Sequence, residues 1–480
     1  MTAAGSEPES ESESMPTGRS LGSEDLARLK AWDKAHLWHP FTAQADWAAS
    51  DPLVIERGEG AYLFDAEGVC YLDGVGSLWC NIHGHRHPRL SQAIRDQLDL
   101  VAHSTLLGVT HPSAIRLARR LVELAPAGLT RVFFSDDGAT AVEVALKMAF
   151  QYWRQKENPE PRRTRFLALS DAYHGDTLGD VSVGGVERFH AMFAPLLFTP
   201  LRAASPHCYR CPLGLERPEC GIACLGEVER LLQTHPGEIA AVILEPLVQC
   251  AAGMIVHPEG YLQGLRALTI KYDTLLIADE VAVGFGRTGS LFASSREGVS
   301  PDFLCLAKGL TGGYLPLAAT LTTEAIHQAF DADAASGKTF FHGHTYGGNP
   351  LGAAVALASL DVFDQEETLA RLVPKVELLR KRLERIGERP HVGNVRQSGL
   401  IAGIELVLDR STKAPYPWSE QVGSRVCSRA RGEGLLIRPL GNVVVVMPPL
   451  SITLEQLDGM LDTIDRCIAF VTEGQGDDRP

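Results

Sequence analysis

The sequence contains no apolar run near the roughly 20 residues that cross a bilayer, and no charged-apolar-small signal pattern opens it. A cytoplasmic location is therefore expected. Positive charge is also short: 45 Lys and Arg stand against 59 Asp and Glu, a formal net charge of −14. That balance disfavours nucleic acid and anionic membranes, both of which reward basic patches. The 480 residues are 45% hydrophobic and 22% charged, an ordinary globular composition with enough chain for two domains. Ten cysteines are scattered, several in apolar runs such as FLCLAK around Cys305, where reduced thiols act as small hydrophobes. Four differ, because Cys208, Cys211, Cys220 and Cys224 are spaced C-x2-C-x8-C-x3-C. Metal sites use such pairs, but no second pair has the usual knuckle spacing. A reduced, structured loop without metal is the expectation, with a structural zinc as the alternative.

Residues 1–20 are low-complexity Glu, Ser and Pro and are expected to be a disordered acidic tail, as are residues 473–480. Between them, short apolar runs (RVFFSDD, RFLALSD, AAVILEP, TLLIADE, DFLCLAK, LAATLTT) alternate with helix-like stretches. Runs of this kind fit strands buried on both faces of a parallel sheet, and the alternation argues for an α/β fold. From about residue 351 the pattern changes to two helix-like stretches followed by short strands. A large domain with a mostly parallel sheet over 91–345 is expected. A smaller α+β domain is expected from both chain ends, 21–90 and 346–472.

Several apolar runs end in polar residues, and in open α/β sheets ligands sit beyond the carboxyl ends of the strands. Asp279 closes LLIADE, and a buried carboxylate there calls for a cationic partner. Lys308 closes FLCLAK in a glycine-rich setting, which suits a lysine that forms imines with carbonyl compounds. The two could equally pair with one another. Gly138 lies in the turn between RVFFSDD and a helix, where free N–H groups bind anions. Tyr173, beside His174 and Gly175, could stack on a flat heterocycle or belong to the core.

In combination and in this order, the motifs LLIADEVAVGFGRTGSLFA and PDFLCLAKGLTGGYLPLAA resemble those of class III aminotransferases, enzymes of the pyridoxal 5′-phosphate (PLP) fold type I, from about residue 30 to 470. Within that class, HLWHPFT (36–42), SLWCNIHGHRHP (77–88), FFHGHTYGGNPLG (340–352) and IRPLGNVVVVMPP (437–449) are similar to the branch that serves biotin synthesis. The resemblance implies transamination of 8-amino-7-oxononanoate to 7,8-diaminononanoate, with S-adenosylmethionine or lysine as amino donor. A diamine, ornithine or 4-aminobutyrate aminotransferase is the alternative. It further implies an imine to PLP on Lys308, Asp279 paired with the pyridinium nitrogen, and Tyr173 over the ring. Gly138 and Ala139 would serve the phosphate, with His344 and Thr345 reaching it from the partner of a homodimer. Gln249 would neighbour the phenolic oxygen. Leu78, Trp79, Gly343 and Arg438 would line the substrate pocket, Arg438 holding a carboxylate.

The sequence departs from the family pattern at a few positions. Ala139 stands where a hydroxyl residue is common, and Asp137 adds negative charge beside the phosphate unless it caps the helix at Thr140. Phe41 and the Leu78–Trp79 pair look more like the lysine-using members. Arg287 reads as an internal salt bridge, and His83, His85 and His87 read as hydrogen-bonded turn residues rather than a metal cluster.

Overall fold

Apolar runs uninterrupted by polar residues become strands buried on both faces. In the computed structural model, which describes residues 22–474, seven strands form one sheet. In chain order they are β1 (Leu129–Ser135), β2 (Arg165–Leu169), β3 (Leu201–Ala203), β4 (Ile239–Leu244), β5 (Leu275–Asp279), β6 (Phe303–Leu306) and β7 (Ala318–Thr323). The spatial order is β1-β7-β6-β5-β4-β2-β3. Only β7 is reversed, pairing antiparallel with both β1 and β6. All other pairings are parallel, with Ile277 opposite both Ile243 and Phe303. Every residue of β4, β5 and β6 is buried. Helix α1 (Gly138–Gln155) packs its Ala141, Val142, Ala145 and Ala149 against Phe303, Cys305 and Ala318 of the sheet.

The described residues divide into two compact units. The first holds residues up to Gly58 together with Leu63–Cys70. Within it, Asp33 on the helix Ser23–His36 accepts hydrogen bonds from the Trp47 indole at 2.7 Å and faces His39 at 2.9 Å. The second unit holds Glu59–Tyr62 and the chain from Tyr71 on, including the large sheet.

After residue 351 the helix-like stretches are the helices Pro350–Gln365 and Thr368–Ile386. An antiparallel sheet follows, in the order Val392–Ser398, Ile401–Asp409, Val443–Val446, Arg438–Leu440. Leu435 and Leu436 run parallel to Leu72 and Asp73, so the late segment meets an early one. The expected tail at 1–20 lies outside the described residues. Of the tail at 473–480, Glu473 closes the helix Leu454–Glu473 and Gly474 caps it, and the remainder lies outside them. Among the described residues no helix is long and apolar enough to cross a membrane.

Candidate active site

Strand ends β5 and β6 and the turn after β1 open onto one cavity of about 730 Å³. Lys308, Asp279, Tyr173, Gly138, Ala139 and Trp79 all line it. Asp279 is the last residue of β5 and is buried. One of its oxygens accepts from the Val281 N–H at 3.1 Å, and the other faces His174 Nδ1 at 2.7 Å. His174 is itself buried, lines the cavity, and leaves Nε2 without a partner. Lys308 follows β6 by two residues and takes a left-handed φ of 42°, a conformation uncommon for a side-chain-bearing residue. Its Nζ lies 5.6 Å from the centre of the Trp79 ring.

The anion end of the site is built by α1. Asp137 caps the helix, accepting from the Thr140 N–H at 2.9 Å while the Thr140 hydroxyl accepts from the Asp137 N–H at 3.0 Å. The acidic side chain is thereby spent on the helix end, and the first-turn N–H groups of Gly138 and Ala139 have no acceptor within the helix. Glycine at 138 is required by packing, because a Cβ there would meet Val281 Cγ1 at 2.5 Å. Gly175 has φ +136°, and a Cβ there would meet Asp180 Oδ2 at 2.3 Å and Ala139 Cβ at 2.6 Å. Both glycines let the Tyr173 loop and β5 close on the start of α1.

Tyr173 donates its hydroxyl to Asp176 at 2.8 Å, and burial, then that carboxylate, raises the phenol's pKa. Glu245, one residue beyond β4, accepts from the N–H groups of Tyr173 and Cys250 at 3.1 and 2.9 Å. Burial pushes its carboxyl up to about 7. Neither Glu245 nor His174 carries an expected role, although Glu245 closes an apolar run in the sequence.

Trp79 is both a cavity wall and part of the core, 8% exposed. It ends a turn in which Gly76, Ser77, Leu78 and Trp79 all have positive φ. A left-handed turn costs about 1–2 kcal/mol per side-chain-bearing residue and needs external support. Asp73 supplies part of it, accepting from the Ser77 N–H and hydroxyl at 3.0 and 2.8 Å. Arg287 supplies the rest. Its guanidinium donates to the carbonyls of Trp79 (3.1 Å), Asn81 (2.8 Å), Pro448 (2.5 Å) and Met447 (3.5 Å). Arg287 is therefore no salt bridge: it is a buried cation held by carbonyl dipoles, and burial lowers its pKa to about 10.

Other expected positions do not line this cavity. Gln249 is buried with its amide occupied, accepting from Ser205 Oγ at 2.5 Å and donating to the Ser170 carbonyl at 2.8 Å. Leu78 is half exposed, and Gly343, His344, Thr345 and Arg438 are exposed. His344 Nδ1 faces Asp136 at 3.0 Å. The three turn histidines have separate partners: Ser359 for His83 (3.1 Å), Asp73 for His85 (3.0 Å) and Glu366 for His87 (3.0 Å).

A lysine, a carboxylate with its histidine, an aromatic face and a helix N-terminus thus meet in one cavity. The arrangement can hold an anionic aromatic group and move a proton. The family model for aminotransferase class-III matches residues 43–468. An adenosylmethionine-8-amino-7-oxononanoate aminotransferase of Nitratidesulfovibrio vulgaris is 57% identical over 451 residues, covering 94% of this chain and 83% of that one. Its namesake from Geobacter sulfurreducens is 53% identical over 451 residues, covering 94% and 99%. Among solved structures, the enzyme of that name from Methanocaldococcus jannaschii superposes with a TM-score of 0.87 at 44% identity, covering 92% of this chain and 99% of that one. The omega transaminase of Pseudomonas jessenii in complex with PMP gives 0.89 at 33% identity, covering 94% and 100%. With the family model running through every cavity element from Trp79 to Lys308, the chain belongs to the class-III aminotransferases.

Proposed function

We propose that this chain is the PLP-dependent aminotransferase that converts 8-amino-7-oxononanoate to 7,8-diaminononanoate in biotin synthesis, with S-adenosylmethionine as amino donor. The substrate assignment rests on one observation: relatives at 57% and 53% identity across 94% of the chain carry that activity in their names.

The cavity fits PLP on grounds of its own. His174 offers an unpartnered buried nitrogen, and the first turn of α1 offers free N–H groups where Gly138 and Gly175 allow close approach. When bound, PLP supplies a carbonyl that takes up the amino group and a ring that accepts the electron pair released at the donor's carbon. Lys308 would hold the cofactor through its Nζ. As a free amine its Nζ would take the proton from the donor's α-carbon as base and return it, as acid, at the carbon that PLP supplies from its aldehyde. Asp279 keeps a proton on the ring nitrogen, and His174 Nδ1 orients that carboxylate. Gly138 and Ala139 hold the phosphate by backbone N–H groups. Tyr173 and Trp79 bound the ring and substrate space and exclude water. Arg438 holds the carboxylate of 8-amino-7-oxononanoate, and Gly343 and Leu78 shape its approach. Gln249, its amide bonded to Ser170 and Ser205, would neighbour the phenolic oxygen of the cofactor.

The enzyme works as a homodimer in which His344 and Thr345 reach the partner's phosphate. The exposure of the apolar Leu100, Leu107 and Phe341 supports a covered face.

Purified enzyme given 8-amino-7-oxononanoate with either S-adenosylmethionine or lysine tests the proposal by mass detection of the diamine. Diamine with S-adenosylmethionine is expected. Diamine from lysine alone would replace the donor. No diamine from either, with amino transfer from 4-aminobutyrate or ornithine to 2-oxoglutarate, would replace the substrate assignment.

A further inference from the structure

Glu245 is a buried titratable group that the roles given above leave unused. It follows β4 and lines the cavity while only 4% exposed. Ala278 of β5 pairs with Leu244 of β4, so Asp279 and Glu245 stand one step further on, at the ends of neighbouring parallel strands. Such strands run about 4.8 Å apart. Tyr173 and His174 clasp the two carboxyl groups. The Tyr173 N–H donates to Glu245 Oε1 at 3.1 Å, and His174 Nδ1 faces Asp279 at 2.7 Å. The Cys250 N–H donates to the other Glu245 oxygen, Oε2, at 2.9 Å.

Two carboxyl groups this close in a buried site do not both ionise. Asp279 is the one held by an imidazole. Burial, opposed by His174 and reinforced by Asp279, favours the neutral form of Glu245. A neutral carboxyl has one O–H to donate. Both Glu245 oxygens already accept from main-chain N–H groups, and among the described residues nothing accepts that proton. A buried donor without an acceptor is costly, and an acceptor atom on a bound group removes the cost.

The strand order says which atom that is. Across the sheet lie β1, whose turn leads to Gly138 and Ala139, then β7, β6 before Lys308, β5 ending in Asp279, and β4. In PLP the phosphate arm and the phenolic oxygen flank the aldehyde carbon on opposite sides of the ring. With the arm at the start of α1 and the aldehyde at Lys308, the phenolic oxygen faces β4. Glu245 is the residue that the end of β4 brings to the cavity. Gln249, further along the same connection, has its amide spent on Ser170 and Ser205.

We propose that Glu245, as a neutral acid, binds the cofactor by donating its O–H to the phenolic oxygen. The bond orients the ring and holds negative charge at that oxygen, while Asp279 stays the anion at the ring nitrogen. No covalent bond is made or broken. The inference rests on the cofactor placement proposed above.

The test compares PLP with 3-deoxypyridoxal 5′-phosphate, which lacks the phenolic oxygen, in the full-length parent and in Glu245→Leu. Dissociation constants are read from cofactor absorbance on titration into the apoenzyme. The parent should hold PLP at least about tenfold more tightly than the analogue. In Glu245→Leu the two should bind within about twofold of one another. A purely structural loss weakens both ligands alike and leaves the ratio in place, which would overturn the proposal, as would equal binding in the parent. Where the variant does not fold, a crystal structure of the PLP-loaded parent decides. A Glu245 oxygen about 2.7 Å from the phenolic oxygen is expected, and one beyond hydrogen-bond reach overturns the proposal. Borohydride reduction separates the two readings. A label on Lys308 with an unchanged ratio overturns the role of Glu245 alone, and a label elsewhere overturns the cofactor placement with it.

Discussion

Asp279 ends a strand in which every residue is buried, and among the described residues its carboxylate is held by the Val281 N–H and His174. An asparagine keeps the shape and the Val281 contact while removing the charge. Asp279→Asn is therefore expected to retain cofactor, seen in its absorbance, and to lose turnover by about a hundredfold or more. Turnover within a fewfold of the parent would take Asp279 out of the mechanism. Asp180, packed against Gly175, shows a second consequence of burial. Its carboxyl is pushed up to about 10, by burial first and by Glu143 second. In the folded state it stays protonated where the unfolded chain would ionise, so folding binds an extra proton between about pH 4 and pH 10. Stability from this group is full at low pH and declines as pH rises through that window, by at most about 1.4 kcal/mol per unit. Asp180→Asn removes the titration. Its melting temperature should fall less between pH 6 and pH 9 than that of the parent, and parallel profiles would contradict the assignment.

The elements explain which parts of the site the sequence makes legible. Strand ends are local patterns: an apolar run that stops at Asp279 or Lys308 announces a buried polar group at the sheet's edge, and both fall on one cavity. The turn before α1 is equally local, and Asp137 resolves its apparent misfit by capping Thr140. Asp137→Ala should therefore lower stability by about 1 kcal/mol in urea titration, and an unchanged midpoint would deny the cap. What a local pattern cannot carry is a contact between distant segments. His174 meets Asp279 across 105 residues, and Arg287 reaches Trp79 and Pro448 across 208 and 161. An isolated arginine in GFGRTG looks like half of an ion pair, because nothing nearby in sequence reveals that carbonyls will surround it. The left-handed turn at 76–79 is hidden for a similar reason. Ser77, Leu78 and Trp79 have no intrinsic preference for positive φ, and Asp73 and Arg287 impose it.

At the scale of the whole molecule, the parallel sheet is what assembles the chemistry. It carries the carboxyl ends of β1, β4, β5 and β6 to one edge, so that Gly138, Glu245, Asp279 and Lys308, spread over 170 residues of chain, surround one cavity. The segments after residue 351 supply the Met447 and Pro448 carbonyls that, with those of Trp79 and Asn81, hold Arg287, which links the pocket wall to the late segments. The amine proposed to carry the cofactor in this cavity is that of Lys308. Borohydride reduction of the purified enzyme followed by peptide mapping tests it most directly. A phosphopyridoxyl label on Lys308 alone, absent from Lys308→Ala, is the predicted result. A label on another lysine, or its persistence in the variant, would contradict the account.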